Sequence, residues 1–331
     1  MDAPSLTDLV PIDAIWRRID AVERRLFEVT TSSNRFLTEI AQHLVRAGGK
    51  RYRPLLAQVA AELGPDAAGG GPIEAGTAVE LVHIGSLYHD DVIDEAETRR
   101  GSPSVNANWD NTAAILGGDY LLAKASEVAA PLGEEAVTLI AQTYAALCEG
   151  QVLELQLEEN VEHGPEDYFQ VIGGKTASLI RTSARLGAMT AGATRDDIEA
   201  ISQWAWEVGL VFQMADDVLD LVASEEFIGK PAGSDLKEGT YTLPVLYALD
   251  GPNGDEIRSL LADGAPSDTA VIGRIIELTA AGGHVDRVLN EANERLRVAE
   301  EAAGRLPESE LRPILRSLEL YLTDRVHAAR G

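Results

Sequence analysis

Apolar positions along this chain recur at helical spacing over long stretches, whereas the alternation typical of half-buried strands is almost absent. The runs are rich in alanine, leucine, valine and isoleucine and are too long for strands. They therefore predict helices. The predicted ranges are residues 75–94, 111–130, 135–159, 175–189, 195–220 and 283–303.

Glycine and proline clusters separate the helical runs at residues 69–72, 100–103, 163–165, 229–239 and 250–254. None of these breaks is long or polar enough for an interdomain linker, and no repeat of fixed period is visible. We therefore predict an all-α fold in which residues 1–331 form a single domain.

The composition, 45% hydrophobic and 25% charged over 331 residues, is typical of a folded protein. A formal net charge of −26 repels nucleic acid and anionic membrane surfaces. The chain has no apolar run of about 18 residues and no basic, apolar leader. These features predict a cytoplasmic protein with no nucleic-acid partner and no stable membrane insertion.

Cys148 is the only cysteine, which excludes an intrachain disulfide and a cysteine metal cluster. We predict that it is a small buried thiol within a helix.

The first candidate site is an acidic cluster, Asp90, Asp91 and Asp94, at the end of an apolar run. At about 100° per residue, Asp90 and Asp94 lie about 40° apart on one helical face, one turn from each other. Carboxylates so placed repel each other unless a cation lies between them, and magnesium prefers such oxygen ligands. Taken alone the cluster is weak evidence, since solvated helix ends often carry several carboxylates.

The same spacing recurs at Asp216, Asp217 and Asp220, again after an apolar helical run. Two such clusters near the ends of long helices are expected to face each other across a bundle, as in other metal-binding bundles. The alternative is two unrelated acidic helix ends in an acidic protein. That alternative explains the identical spacing poorly.

Lysine is scarce, yet Lys50, Lys175 and Lys230 each stand beside glycine at a predicted helix boundary. Arg99 and Arg100 follow the first acidic cluster closely. Each of these residues alone would be read as a surface charge. Together, cations on glycine-containing turns beside two carboxylate clusters indicate a magnesium-bridged diphosphate.

The order of motifs GGKRYRP, LVHIGSLYHDDVIDEAETRRG, GGKTASL, VFQMADDVLD and GKPAGSDLKEGTYTLP resembles the trans-polyprenyl diphosphate synthase family. The resemblance extends from about residue 30 to residue 325. The segment RRGSPSVNANWDNTAAILGGDYLLA is similar to the branch that makes longer chains. The resemblance implies a helical bundle of the isoprenoid synthase type with a central substrate cavity, a homodimer, and a first stretch of roughly 25 residues that is an N-terminal extension.

The resemblance also implies roles for individual residues. Three magnesium ions are expected, two held by Asp90 and Asp94 with Asp91 nearby, and one held by Asp216 with support from Asp217 and Asp220. The residues expected to hold isopentenyl diphosphate are Lys50, Arg53, His83 and Arg100. Those expected to hold the allylic diphosphate are Arg99, Lys175, Thr176, Gln213 and Lys230. Catalysis is expected to rest on Asp90, Asp94, Lys175, Asp216 and Lys230.

One position departs from the family pattern. Thr240 stands where many members carry a lysine before Thr-Leu-Pro. Members that make longer chains often lack this lysine too, so the change fits that branch. Whether Lys237 compensates is left open.

Product length is expected to depend on the side chains before the first acidic cluster. Ser86 lies one turn before Asp90 on the same face, and Gly85 is included on the resemblance alone. Both are small, whereas family members that stop at farnesyl diphosphate usually have an aromatic residue there. Tyr88 is bulky, but at about 160° from Asp90 it points away. We therefore predict an open apolar tunnel and a product longer than farnesyl diphosphate.

Two other functions compete with this prediction. A class I terpene cyclase would share the bundle and the first acidic motif, but it usually has a different second motif and lacks the Gly-Gly-Lys-x-x-x-Pro turn. A subunit of a heteromeric synthase, catalytic or not, is the other alternative. Non-catalytic subunits can lose their aspartates, and here all of them are present.

Overall fold

The structure, a computed structural model, describes residues 5–223 and 232–330. Within those ranges the only strands are Thr98–Arg99 and Ser102–Pro103, which pair as a small antiparallel hairpin. The prediction of an all-α fold is confirmed. The helices, in chain order, are α1 Leu6–Leu9, α2 Asp13–Val29, α3 Arg35–Ala41, α4 His43–Arg46, α5 Tyr52–Ala61, α6 Gly70–Ile93, α7 Val105–Asn108, α8 Asn111–Ala129, α9 Glu134–Leu157, α10 Pro165–Ile172, α11 Ser178–Thr190, α12 Arg195–Val222, α13 Ser234–Lys237, α14 Leu243–Leu249, α15 Gly254–Leu260, α16 Thr269–Ala281, α17 His284–Ala303 and α18 Leu311–Arg330, with a 3₁₀ turn at Ala130–Leu132 and a π-helical turn at Gly173–Ala177.

Two helix starts differ from the sequence prediction. Helix α6 begins at Gly70, inside the predicted break, because Pro72 falls in the first turn, where a backbone N–H has no partner within the helix. The predicted helix at residue 175 begins instead as the π-helical turn, and regular helix follows from Ser178. Short π-helical stretches often occur at functional sites.

Helix α6 runs through the interior and is apolar on most of its surface, as expected for a helix covered on several sides. It packs along α8 and also contacts α2, α5, α9 and α11. Val79, Leu81, Val82 and Ile84 are fully buried. The helix ends at Ile93, so the first acidic cluster emerges where this buried helix reaches a cleft.

Helix α12 is the second long interior helix and carries the second acidic cluster near its end. Thr194 caps its start by accepting a hydrogen bond from the backbone N–H of Asp197 over 3.2 Å. The buried Trp204 donates its indole N–H to Glu319 of α18 over 2.5 Å. This contact holds the C-terminal helix along α12 and brings its last turns towards the second cluster.

The N-terminal helix α2 packs into the interior. Ile15, Val22 and Leu26 are buried. Arg18 donates from Nε to Gln58 Oε1 of α5 over 3.0 Å. The residues expected to form an N-terminal extension therefore include a helix that is part of the packed core. In the part of the chain that the structure describes, no helix is both long and apolar enough to traverse a bilayer.

Candidate active site

A polar cleft of 410 Å³ lies where α6, α9, α10, α12 and the π-helical turn meet. Asp94 of the first acidic cluster and Asp217 of the second both line it. An apolar cavity of 560 Å³ adjoins the cleft between α6, α8 and α9. Lys175 and Thr176 belong to the walls of both spaces, so the two are adjacent.

The three aspartates of the first cluster have different environments. Asp90 lines the apolar cavity and Asp94 is exposed at the cleft. Burial raises the pKa of Asp90 to about 6, with Lys175 opposing and Asp94 adding to the shift. The helical spacing thus places Asp90 and Asp94 towards the two adjoining spaces, as a shared ligand would need.

Asp91 points inward instead. Its carboxylate is fully buried, and Arg99 donates to its Oδ1 from Nη2 over 2.5 Å and from Nε over 2.7 Å. Burial raises the pKa of Asp91, and the hydrogen bond from Arg99 opposes that shift. The other carboxylate oxygen, Oδ2, is buried with no hydrogen-bond partner in the protein. Arg99, expected to hold the allylic diphosphate, is therefore engaged by Asp91 here.

The aspartates of the second cluster also differ in their environments. Asp216 keeps 37% of its side chain exposed and accepts a hydrogen bond from Arg325 Nη1 over 3.1 Å. Asp217 is buried, and its carboxylate accepts from the Tyr168 hydroxyl over 2.6 Å and from Gln213 Nε2 over 2.7 Å. Burial raises the pKa of Asp217 well above its ordinary value. In both clusters the second aspartate is thus buried and held by protein donors.

Asp220, the third aspartate of this cluster, is buried and accepts from the backbone N–H of Asp235 over 3.2 Å. Within residues 5–223 and 232–330, no group of three carboxylate, histidine or cysteine side chains is arranged to hold a metal ion by itself. Magnesium commonly binds through one or two protein carboxylates together with substrate phosphates. The carboxylate arrangement fits an ion shared with a phosphate ligand rather than a closed protein cage.

The π-helical turn presents Lys175 and Thr176 to the site. A β-carbon at Gly174 would lie 2.7 Å from the carbonyl oxygen of Ala146 and 3.1 Å from Cα of Gly150, so only glycine allows this approach to α9. Such glycines were predicted to allow a ligand to approach the backbone; here Gly174 allows close helix packing instead. Thr176 donates to Gln213 Oε1 over 2.9 Å.

Lys175 forms an ion pair with Glu154 of α9, and both line the polar cleft. Glu154 was not predicted as a site residue. Its position on α9, opposite the π-helical turn, is a long-range contact with no local signal. In this structure Lys175 is held at the mouth of the cleft by a carboxylate partner.

A basic cluster lies beside the apolar cavity. Arg53 Nη1 donates to His83 Nε2 over 3.2 Å, which requires this nitrogen of His83 to be unprotonated. Burial, reinforced by Arg53 and Arg100, lowers the pKa of His83 well below its ordinary value. Burial also lowers the pKa of Arg53, and its Nε is buried without a hydrogen-bond partner. This pocket holds more positive charge than its protein neighbours balance, as an anion site requires.

Arg100 approaches this cluster from the hairpin and donates to the carbonyl oxygens of Gly48 and Leu44. Lys50 is exposed on the same turn. Arg51 was not predicted as a functional residue. Its guanidinium is buried and bonded to Glu80 over 2.9 Å and to Glu23, so its charge is satisfied and it supports the turn.

The assignments of Lys230 and Lys237 have different outcomes. Lys230 lies outside the described residues. Thr240 lines the polar cleft, whereas the exposed Lys237 is not among its lining residues. Lys237 therefore does not replace the missing lysine in this structure.

The apolar cavity contains one of the two residues expected to govern product length. Ser86 lines it and donates from Oγ to the His83 carbonyl over 2.9 Å. Gly85 faces α8 instead, where an added β-carbon would lie 3.1 Å from Leu122 Cγ. Any influence of Gly85 on the cavity would act through the packing of α6 on α8.

Two further predictions concern side chains near the cavity. Tyr88 points away, as predicted: it is buried and donates its hydroxyl to the Ile40 carbonyl over 2.6 Å. The prediction of a buried Cys148 is wrong, because the residue is exposed and lines the cavity. Little of α9 is covered by the rest of the chain, and its buried residues are Ala136, Ile140, Thr143 and Gly150.

Comparison with known proteins identifies the family of the chain. The polyprenyl synthetase family model matches residues 34–279. Nonaprenyl diphosphate synthase of Mycobacterium tuberculosis is 39% identical over 323 residues, covering 97% of this chain and 96% of that protein. Heptaprenyl diphosphate synthase component 2 of Geobacillus stearothermophilus is 37% identical, covering 92% and 95%.

Solved structures are similar over nearly the whole chain. A polyprenyl synthase from Caulobacter crescentus, complexed with calcium and isoprenyl diphosphate, has a TM-score of 0.88 at 31% identity and covers 97% of this chain and 98% of that one. A decaprenyl diphosphate synthase from Rhodobacter capsulatus has a TM-score of 0.88 at 30% identity, with coverage of 98% and 100%. The chain belongs to the polyprenyl synthetase family.

Proposed function

We propose that this chain is a prenyltransferase that condenses isopentenyl diphosphate head to tail with an allylic diphosphate (geranyl, farnesyl or geranylgeranyl). The observation that carries the proposal is that the polar cleft, lined by carboxylates of both clusters, adjoins the apolar cavity and shares Lys175 and Thr176 with it. A diphosphate bound in the cleft would direct its hydrocarbon chain into the cavity. The all-trans product is longer than farnesyl diphosphate, since the cavity is large and several relatives are named for long products.

Magnesium is the proposed metal, with three ions expected. We assign it to Asp90, Asp94 and Asp216, because Asp91 and Asp217 are both buried and bonded to protein donors. The buried Oδ2 of Asp91, which has no partner in the protein, also fits a nearby cation. When bound, magnesium neutralises the diphosphate and assists its departure.

The chain's own cations then bind and orient the allylic diphosphate. Lys175 would exchange Glu154 for a diphosphate oxygen, and Thr176 and Gln213 would fix the same group by hydrogen bonds. Lys230 keeps its proposed role here on the family resemblance alone. Fixed donors around the departing diphosphate stabilise its developing charge as the C–O bond ionises.

The second substrate fits the basic cluster. Arg53 offers a buried Nε donor beside neutral His83, and Arg100 and Lys50 are assigned to the same substrate on the family resemblance. With both substrates held, attack of the isopentenyl double bond on the allylic cation becomes effectively unimolecular. The new C–C bond forms, and a proton passes to the released pyrophosphate, by analogy with the family.

We also propose that the chain acts as a homodimer through α8 and α9. These helices expose large apolar side chains that isolated soluble surfaces seldom group together. Ile115 and Leu116 are 45% and 57% exposed on α8, and Val152 and Leu155 are 55% and 42% exposed on α9. Ile115, Val152 and Leu155 also line the apolar cavity, so a second copy covering this face would shield both the cavity wall and these side chains from water.

Residues 1–331 are proposed to act as one catalytic domain. The family match begins at residue 34, in keeping with an N-terminal extension that folds onto the core. The net charge of −26 supports a cytoplasmic protein without nucleic-acid partners or stable membrane insertion.

The test is incubation of the purified chain alone with farnesyl diphosphate, labelled isopentenyl diphosphate and magnesium. We expect incorporation into products longer than farnesyl diphosphate, abolished by a chelator and by Asp90→Asn. Absence of incorporation by a folded, magnesium-loaded chain would contradict the proposal.

A second candidate is a subunit of a heteromeric synthase. The exposed apolar face of α8 and α9 favours it equally, and two relatives are named as component 2 of heptaprenyl diphosphate synthases. Sedimentation of the purified chain separates the two. A dimer with activity supports the homodimer, whereas an inactive monomer favours a missing partner.

A further inference from the structure

Helix α6 ends at the first acidic cluster in a turn that glycine usually provides. The Ala96 N–H donates to the Asp91 carbonyl over 2.9 Å, and the Asp94 N–H donates to the Asp90 carbonyl over 2.8 Å. A bond from beyond the helix end back to a carbonyl five positions earlier is typical of helices terminated by a left-handed residue, most often glycine. Here the left-handed residue is Glu95, whose φ is 51°.

A side chain at position 95 makes this conformation costly. A residue other than glycine seldom adopts a positive φ, because its β-carbon comes too close to the following carbonyl oxygen. Such conformations persist only where the surrounding structure holds them, and they cluster at functional sites. Glu95 lines the polar cleft next to Asp94. The contacts that hold this turn therefore also determine the shape of the first acidic cluster.

Asn106 of α7 supplies two of these contacts. Its Nδ2 donates to the Asp91 carbonyl over 3.1 Å and to the Ala96 carbonyl over 3.1 Å. The opposite amide orientation would turn Oδ1 towards two acceptors, so we assign Nδ2 to this side. One amide thus joins the last turn of α6 to the residue that follows Glu95.

Other bonds hold the neighbouring groups and leave one carboxylate dependent on the turn. Ser104 is fully buried and donates from Oγ to the Ala96 carbonyl over 2.5 Å. The carboxylate of Asp91 is held by Arg99. Asp94 is exposed at the cleft and immediately precedes the left-handed residue. The direction of its side chain therefore follows the backbone of the turn.

From these contacts we propose that Asn106 is a positioning residue for the metal site: it holds the left-handed turn at Glu95 and thereby directs the Asp94 carboxylate into the cleft. The inference rests on the proposed function, in which Asp94 is a magnesium ligand. Magnesium demands near-ideal octahedral geometry, so a displaced ligand weakens its binding. Without Asn106 the turn relaxes, and magnesium binding has to restore it.

The first test is calorimetric titration of the substrate-free chain with magnesium alone. We expect Asn106→Ala to weaken magnesium binding about tenfold, which corresponds to the net contribution of two neutral hydrogen bonds that binding must restore. Asn108→Ala is the matched control, since Asn108 lies on the same short helix, is exposed and lines neither space. Urea denaturation of each variant establishes that it is folded.

A rescue experiment separates positioning from a general loss of stability. Glu95→Gly and Glu95→Ala are each combined with Asn106→Ala. Both double variants lose the same charge from the cleft, but only glycine adopts a positive φ without steric cost. We expect the glycine double variant to bind magnesium at least about threefold more tightly than the alanine double variant. Equal affinities would overturn the positioning role.

Hydrogen exchange follows the turn itself in the absence of metal. The backbone amide of Ala96 is the donor that closes the turn, so its exchange reports how often the turn opens. We expect faster exchange in Asn106→Ala but not in Asn108→Ala, and slower exchange again when Glu95→Gly is added to Asn106→Ala. Wild-type exchange in Asn106→Ala would show that the amide does not hold the turn.

The outcomes distinguish this inference from the proposed function. Wild-type magnesium affinity in folded Asn106→Ala would overturn the positioning role and leave the proposed function intact. If the wild type incorporates no label but its magnesium affinity depends on Asn106, the proposed function fails and the positioning role holds. If Asn106→Ala does not fold, Asn106→Leu takes its place, because it keeps the side-chain volume and loses both hydrogen bonds. Wild-type magnesium affinity in that variant would equally refute the inference.

Discussion

Gly49 and Arg100 are in such close contact that a β-carbon at position 49 would lie 2.9 Å from Cζ and Nη1 of the arginine. Gly49 also has a positive φ of 140°. The glycine turn of the GGKRYRP motif therefore leaves the space in which Arg100 lies beside Arg53. Because Gly49 has no side chain, it leaves room for the Arg100 guanidinium in the basic cluster.

Gly49→Ala is predicted to weaken the binding of isopentenyl diphosphate, because the methyl group displaces the Arg100 guanidinium. Loss of one hydrogen bond to a charged group is worth about 1.5–3 kcal/mol, or roughly ten- to a hundredfold in affinity. The measurement is KM for isopentenyl diphosphate at saturating allylic substrate. Gly48→Ala is the control, since φ is also positive there (78°) but an added β-carbon meets nothing within 4 Å. Equal effects of the two substitutions would show that backbone strain, not Arg100, is responsible.

Six helices, α6, α8, α9, α11, α12 and α17, and both acidic clusters could be predicted from the sequence because they depend on local periodicity, whereas α2, α16 and α18 were not predicted. The inward direction of Asp91 and Asp217 follows from the same helical geometry, but their partners do not. Tyr168 bonds Asp217 from a helix 49 residues away, and Arg325 bonds Asp216 across 109 residues. Such contacts are determined by tertiary packing, which a single sequence does not display.

The misassigned residues have a similar explanation. A Gly-Gly-Lys turn predicts that another group approaches the backbone closely, but it does not predict which group. At Gly174 the approaching group is α9, and at Gly49 it is Arg100. Cys148 was predicted to be buried because cysteines usually are, but α9 is left largely uncovered by the rest of the chain.

Ser86→Phe is predicted to shorten the product, because the aromatic ring would enter the cavity one turn before Asp90. The expected result is a main product at least one isoprene unit shorter, measured by chromatography of the dephosphorylated products. Ser317→Phe is the control: Ser317 also bonds a carbonyl of its own helix, Pro313, over 3.0 Å, and it lines neither space. An unchanged product distribution in Ser86→Phe would contradict the prediction that the growing chain passes Ser86 in an open apolar tunnel.

Glu80→Ala is predicted to destabilise the fold strongly. Glu80 and Arg51 are 2% and 4% exposed in their side chains, and they form an ion pair at 2.9 Å. Removing one partner of a buried pair costs about 3–5 kcal/mol, because the remaining charge stays buried. Urea denaturation would measure the free energy of unfolding.

Glu39→Ala provides the comparison for Glu80. Its partner Arg35 is 93% exposed, and such surface pairs contribute less than about 1 kcal/mol. A loss of stability in Glu80→Ala no larger than in Glu39→Ala would contradict the structural role assigned to Glu80 and Arg51. The loss of stability in Glu80→Gln, which keeps the shape and hydrogen-bonding capacity of the side chain, should be smaller than in Glu80→Ala and larger than in Glu39→Ala.

Arg325→Ala is predicted to strengthen the binding of magnesium to the substrate-free chain. Arg325 donates to Asp216 Oδ1 over 3.1 Å, so an arginine near the end of α18 competes with a cation for this carboxylate. Removing a like charge beside a cation site should raise affinity by a few fold, since a partly exposed pair contributes about 0–1 kcal/mol. Isothermal calorimetry with magnesium alone measures this affinity directly.

Arg316→Ala is the matched control for Arg325→Ala, because Arg316 lies on the same helix and pairs with Glu300 at the surface. If Arg325→Ala and Arg316→Ala change the magnesium affinity equally, the effect comes from net charge, and Arg325 does not compete for Asp216.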